Sequence, residues 1–250
     1  LVIAGLTAGW VSLWVTNFFG FSVVTTSLLF WLIPALILSL TVQPPNHLTI
    51  QPFNHSSSIL DRRLFKVATT AGALWLLFIS GKIFLADIYY TQGLTQEKQN
   101  LPVSAAFDVQ RATSLNPNEP AYHRELAYLY YLATKLGEDK DKPVLLEMAD
   151  EEAQIAYDLN PNNSLTLKSI VKIFSLLATL DPQNPIYYEK ALKVAEHNTQ
   201  LCPTDPKAWY NLGVVYQVKE ENAKAKEAFQ KAVELKSDYA GAKEEQEKLK

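Results

Sequence analysis

Residues 206–237 read PKAWYNLGVVYQVKEENAKAKEAFQKAVELKS, and the fold of the chain is decided here. Pro206 heads an apolar-periodic run, a position where its missing N–H has no intrahelical partner to lose. Trp209, Leu212, Gly213 and Tyr216 follow at three- and four-residue steps, which places them on one helical face. The polar run Lys219, Glu220, Glu221, Asn222 interrupts that face. Ala225, Phe229 and Ala232 then begin a second one. Gly213 and Ala225 are small, so two antiparallel helices can approach closely there. Trp209, Leu212, Tyr216 and Phe229 fill the space around the contact.

These seven positions resemble the tetratricopeptide repeat, a helix–turn–helix unit of about 34 residues. The family pattern closes on proline where this chain has Ser237, a departure expected of a terminal repeat. Working toward the N-terminus, three earlier helices end in the same manner. Ala105 and Ala112 lead to Leu115-Asn116-Pro117, and Ala149 and Ala156 lead to Leu159-Asn160-Pro161. Ala191 leads to Leu201-Cys202-Pro203. Each proline marks a helix stop, and each is followed by a new first helix, over 120–135, 163–179 and 206–219. Asn118, Asn162 or Asn163, and Thr204 are the expected N-caps. The central repeats exceed the usual length, and the surplus falls at 137–142 and 181–185, both rich in turn formers and both between the helices of a pair. Residues 83–96 are expected to form the first helix of the first repeat. Residues 241–250 are expected to form a charged closing helix.

The other end of the chain has a different character. Residues 1–60 contain no Asp, Glu, Lys or Arg. A globular surface needs charges throughout, whereas a charge at a bilayer centre costs roughly 2.5–3.5 kcal/mol on insertion scales. Residues 1–42 therefore read as two transmembrane helices separated by the aromatic turn Asn17–Ser22, the first span truncated at Leu1 within a longer membrane protein. Pro34 kinks the second span, as lipid-embedded helices tolerate. Residues 43–63 form a polar loop. Residues 64–85 form a third span, with Lys66 and Lys82 snorkelling from its ends. Arg62, Arg63 and Lys66 place that loop in the cytoplasm by the positive-inside tendency. The expected protein is thus a multi-pass plasma (inner) membrane protein of all-α class. Its transmembrane helices lead into a tetratricopeptide-repeat α-solenoid over 86–250, on the extracytoplasmic side.

Beyond Ile83 acidic residues outnumber basic ones, and the whole chain has a formal net charge of -3. That balance does not suit a nucleic-acid partner. Such arrays bind partner proteins on the concave face made by the first helix of each pair. The repeat register puts Arg124, Tyr128 and Tyr131, then Lys168 and Lys172, then Lys207, Tyr210 and Gln217 on that face. Basic groups among tyrosines suit an acidic peptide, or an anionic or sugar ligand. The plainer alternative makes Lys168 and Lys172 a solvated face and the tyrosines interhelical packing. His123 occupies the position of Trp209 and reads as structural, while His197 reads as exposed. His47 and His55 have no third ligand spaced with them, so no metal site is expected, nor any cofactor. Cys202, the only cysteine, reads as a small buried hydrophobe. Glu151-Glu152 and Glu220-Glu221 read as solvated. No catalytic constellation is recognisable.

Residues 14–36, with Asn17-Phe18-Phe19-Gly20-Phe21-Ser22 and Leu29-Phe30-Trp31, resemble the last two spans of the O-antigen ligase and polymerase family. These are bacterial lipid-linked oligosaccharide transferases. In many members a further span and an extracytoplasmic tetratricopeptide region follow, the order found here. The resemblance implies the C-terminal part of a cell-surface polysaccharide ligase or polymerase, with glycan or polyprenyl-linked glycan among its partners. Its catalytic residues would lie before Leu1. The alternative is a non-enzymatic, membrane-tethered tetratricopeptide scaffold whose partner is a protein.

Overall fold

The computed structural model describes residues 59–249, among which helices are the only regular elements. The chain divides into two units, Leu1–Leu85 and Ala86–Lys250. The spans expected at 1–42, and most of the loop after them, lie outside the described residues.

The first helix, α1 (Ile59–Lys98), is unbroken. It starts five residues before the expected third span and continues through Lys82 into the first repeat. No proline or strong cap signal divides the two, so the helix propagates across both. An 18-residue window within its stretch Thr70–Lys98 has a mean hydropathy of 1.7, and this is the one helix among the described residues long and apolar enough to cross a membrane. Leu74, Trp75 and Phe78 on it are exposed.

The second unit continues as α2 (Pro102–Leu115), α3 (Pro120–Ala133), α4 (Lys142–Leu159), α5 (Ser164–Leu180) and α6 (Pro185–Leu201). It closes with α7 (Pro206–Val218), α8 (Asn222–Leu235) and α9 (Ala240–Lys248). Each helix packs on its sequence neighbour, and the first helices of successive pairs also touch, α3 on α5 and α5 on α7. Proline opens α2, α3, α6 and α7, and it stands in the first turn of α4.

Two of the expected caps move by one residue. Glu119, not Asn118, accepts the Ala121 N–H at 3.2 Å, and Asp205, not Thr204, accepts the Lys207 N–H at 2.9 Å. Pro120 and Pro206 set the φ of the first helical residue, so the cap is whichever residue directly precedes them. Asn163 caps α5 through the Thr166 N–H, as one of its two expected alternatives. Asn184 caps α6.

The packing core is built as the last repeat predicts. Ala225, Phe229 and Ala232 are fully buried, and Leu212 nearly so. A Cβ on Gly213 would stand 2.5 Å from Cε1 of Phe229, so only glycine permits this helix spacing. The first repeat repeats the device with a residue the sequence reading passed over. A Cβ on Gly93 would lie 2.5 Å from Cγ2 of Val109 and 3.1 Å from the Ala105 carbonyl oxygen. Gly93 precedes Ala105 and Val109 by the same intervals that separate Gly213 from Ala225 and Phe229.

Candidate protein-binding face

The face formed by α3, α5 and α7 carries the residues singled out for binding, and the structure sorts them into three groups. Arg124 and Tyr128 on α3 meet Lys172 on α5 around a cup of about 150 Å³ that Glu125, Ser169 and Ile173 complete. The Lys172 ammonium stands 5.1 Å from the centroid of the Tyr128 ring, a cation–π distance. Tyr131 stacks on Tyr128 with centroids 5.9 Å apart, and Lys135 covers its ring at 4.9 Å. Tyr131 is itself buried, so it backs the cup and offers little surface of its own.

Lys168 belongs to a different arrangement. Its ammonium donates to Oδ2 of Asp205 at 2.5 Å, and its carbonyl accepts from Asn211 Nδ2 at 3.2 Å. The Asp205 carboxylate therefore both caps α7 and ties that helix to α5. Burial alone would raise the Asp205 pKa, but the bonds from Lys168 and from the Lys207 and Ala208 N–H groups hold it below the ordinary aspartate value.

The third group faces the closing helix. Gln217 donates to Glu245 Oε2 at 3.0 Å, and Tyr210 packs on Phe229 and Tyr239 with centroids 5.6 and 5.3 Å apart. Lys207 is exposed on the first turn of α7. Arg124, Tyr128 and Lys172 are thus brought together, whereas Lys207, Tyr210 and Gln217 sit beside α9.

Glu125 and Glu97 are the functional candidates the sequence reading missed. Glu97, near the end of α1, stands close enough to Glu125 on α3 for its charge to act on it. Burial, joined by the charge of Glu97, pushes the Glu125 carboxyl up to about 6, against the opposing pull of Arg124 and Lys172. A signal existed, since Glu125 directly follows Arg124 on the face already chosen. A lone carboxylate on an otherwise polar turn does not disclose its burial.

Several expectations change with the fold in view. The Trp209 indole N–H donates to the Pro203 carbonyl at 2.8 Å, and His123 Nε2 makes the equivalent bond to Pro117, also at 2.8 Å. His123 is therefore structural, as its position predicts. Its Nδ1 faces Oε2 of Glu152 at 2.5 Å, so Glu152 is engaged rather than solvated. Both ring nitrogens of His123 point at acceptors, an arrangement that favours the imidazolium. Burial alone would lower the His123 pKa, but the bonds to Glu152 and Pro117 raise it above the ordinary value. His197 is half-buried against Tyr157, not exposed, with rings edge to face at 6.3 Å. Cys202 is half-buried at the end of α6, because a helix-terminal residue keeps one side in solvent. Glu221, of the second carboxylate pair, binds Lys224 at 2.7 Å. Among the described residues no three His, Cys, Asp or Glu side chains gather as a metal site.

A second groove of about 500 Å³ runs beside α2, α3 and α4, lined largely by apolar groups such as Val103, Phe107, Val144 and Met148. None of the residues singled out for binding lines it.

Comparison with known proteins agrees with this architecture. Residues 206–239 match the tetratricopeptide repeat family. The chain is similar in fold to a thermophilic TPR protein of Thermus thermophilus, with a TM-score of 0.55 at 18% identity over 76% of this chain and 95% of that one. It is also similar to pilF of Pseudomonas aeruginosa, with a TM-score of 0.51 at 22% identity over 68% of this chain and 69% of that one. No curated protein matches the chain. The second unit is an all-α, solenoid-like array that carries a tetratricopeptide repeat at its C-terminal end.

Proposed function

We propose that this chain is a membrane-tethered, non-enzymatic scaffold that recruits a partner protein on the face formed by α3, α5 and α7. The observation that carries this reading is the cup of Arg124, Tyr128 and Lys172, set among first helices that pack face to face. Lys168 is held by Asp205, whereas Lys172 is exposed and lies over the Tyr128 ring. An exposed ammonium preorganised over a tyrosine can meet an incoming acidic side chain without first breaking an ion pair. The exposed apolar side chains of α1 support its use as the tether. The basic residues Arg62, Arg63 and Lys66 near its start support an extracytoplasmic repeat region.

The test uses the full chain in neutral detergent, with cross-linking and capture from solubilised membranes. Lys172→Glu should abolish capture of a protein that the unaltered chain captures, while Lys207→Glu should not. Equal capture by both variants would remove the binding role from the cup. Recovery of a cell-surface or polyprenyl-linked glycan in place of a protein would replace this reading by the polysaccharide-ligase one. Labelling of single cysteines introduced at Ser57 and Ser237 tests the orientation, and external reactivity at position 57 would refute it.

A further inference from the structure

The cup is not purely basic, and this mixed character has a consequence for how it binds. Glu125 lines it together with Arg124, Tyr128, Ser169 and Lys172. The charged and titratable groups around Glu125 are Glu97 and Tyr90 on α1, Arg124 and Tyr128 on α3, and Lys172 on α5. An anionic ligand in the cup gains from Arg124 and Lys172 but meets a carboxylate at its wall. We propose that the cup binds a carboxylate side chain of the partner together with one proton, which Glu125 takes up. This rests on the reading of the α3–α5–α7 face as the binding face, and it assigns Glu125 the role of a proton-linked specificity group.

The chemistry favours an anion over a cation. Two cations and one aromatic side chain reach the cup from α3 and α5. The charge of Glu97 beside Glu125 disfavours two ionised carboxylates there. Protonating Glu125 removes the single negative charge at the cup's wall and leaves its hydroxyl as a donor. Adding an anion from the ligand beside Glu125 further favours the protonated form. Binding and protonation therefore reinforce each other, and affinity should rise as pH falls through the range in which Glu125 titrates. Burial and Glu97 already lift that range to about 6 in the free protein.

Capped hexaaspartate is a suitable probe, because its carboxyls stay ionised down to about pH 5. It would be titrated into the full chain by calorimetry at about pH 5.5 and about pH 8, with capped hexalysine as the opposite charge. The expected result is hexaaspartate binding about five- to tenfold tighter at the lower pH, as one linked proton would give. E125Q should bind equally well at both pH values, because the wall is then always neutral. Glu97→Gln guards against misfolding of E125Q. It removes the neighbouring charge and should move the midpoint of the pH dependence downward. A pH slope in E125Q equal to that of the unaltered chain would overturn the proposal, as would tighter binding of hexalysine than of hexaaspartate at both pH values. No hexaaspartate binding at either pH would overturn it too. Loss of protein capture in Lys172→Glu with an unchanged slope in E125Q would leave the scaffold reading standing and remove only the proton linkage.

Discussion

Replacing Gly213 by alanine adds one methyl group at the closest approach of α7 and α8. In an unconstrained helix the change would stabilise by about 1 kcal/mol, since glycine is the poorer helix former. Here the new Cβ would lie 2.5, 2.6 and 3.0 Å from Cε1, Cδ1 and Cζ of Phe229. Ordinary carbon–carbon contact begins near 3.5 Å, so the ring must retreat by about 1 Å. Phe229 is fully buried and also packs on Tyr210, so neither ring nor helix retreats freely. Overpacking of this kind costs about 1–3 kcal/mol, and about 1 kcal/mol is returned by helix propensity. The net expectation is destabilisation by about 1 kcal/mol, localised to α7 and α8. Gly241→Ala is the matched control, because its Cβ would meet Tyr210 at 3.6 Å, an ordinary contact. That variant should be neutral or stabilised by about 0.5 kcal/mol. Urea denaturation of the full chain, with hydrogen exchange read at the α7 and α8 amides, measures both. If Gly213→Ala is as stable as Gly241→Ala, the close-approach account of this glycine is wrong. Phe229→Leu placed on Gly213→Ala should recover part of the loss by vacating the ring's volume.

Two further outcomes follow from the packing. His123 has a folded pKa above its unfolded value, so the Glu152 bond contributes fully below the unfolded value of about 6.5 and is lost as pH rises through the folded one. Glu152→Gln should therefore lower the melting temperature most near pH 6 and progressively less at alkaline pH; a constant deficit would exclude an imidazolium. Asn198 is fully buried, with neither amide atom bonded to a described residue, where the other repeats place Ala112, Ala156 and Ala232. Asn198→Ala should leave stability unchanged or raise it by about 1 kcal/mol in urea denaturation, and a loss above about 1 kcal/mol would reveal a role for that amide.

Much of this fold was legible because repeats write the same physics several times. The Asn-Pro stops, the proline starts and the small-residue contact at Gly213 each appear as local sequence signals. Gly93 was legible by the same spacing, but the positions that carry Leu212 and Tyr216 in the last repeat are Gln92 and Gln96 here, so no apolar face drew attention to it. The binding cup was half legible. Arg124, Tyr128 and Lys172 follow from helix periodicity, because residues on one face of successive first helices must converge. Lys168 follows the same periodicity yet is engaged by Asp205, and nothing local distinguishes two lysines one turn apart. Glu97, at the end of α1, acts on Glu125 only through tertiary packing, which leaves no periodic trace.

The irregular central repeats explain why the cup lies where it does. The additional residues fall in the α3–α4 and α5–α6 connections and lengthen α4, α5 and α6 relative to α7 and α8. They leave untouched the short turns from Pro117 to Pro120, Pro161 to Ser164 and Pro203 to Pro206. Those turns set how each first helix enters on its neighbour. With entry fixed by a cap and a closing proline, Arg124 aligns with Lys168 and Tyr210, and Tyr128 aligns with Lys172 and Val214. Insertions at the far ends can therefore vary without disturbing the face. The position aligned with Lys172 in the last repeat is apolar, and the position aligned with Lys168 there is an aromatic packed on Phe229 and Tyr239. Of these aligned positions, charge remains outside an ion pair at Arg124 and Lys172, where α3 meets α5, and there Tyr128 supplies the surface against which an acidic side chain can be held.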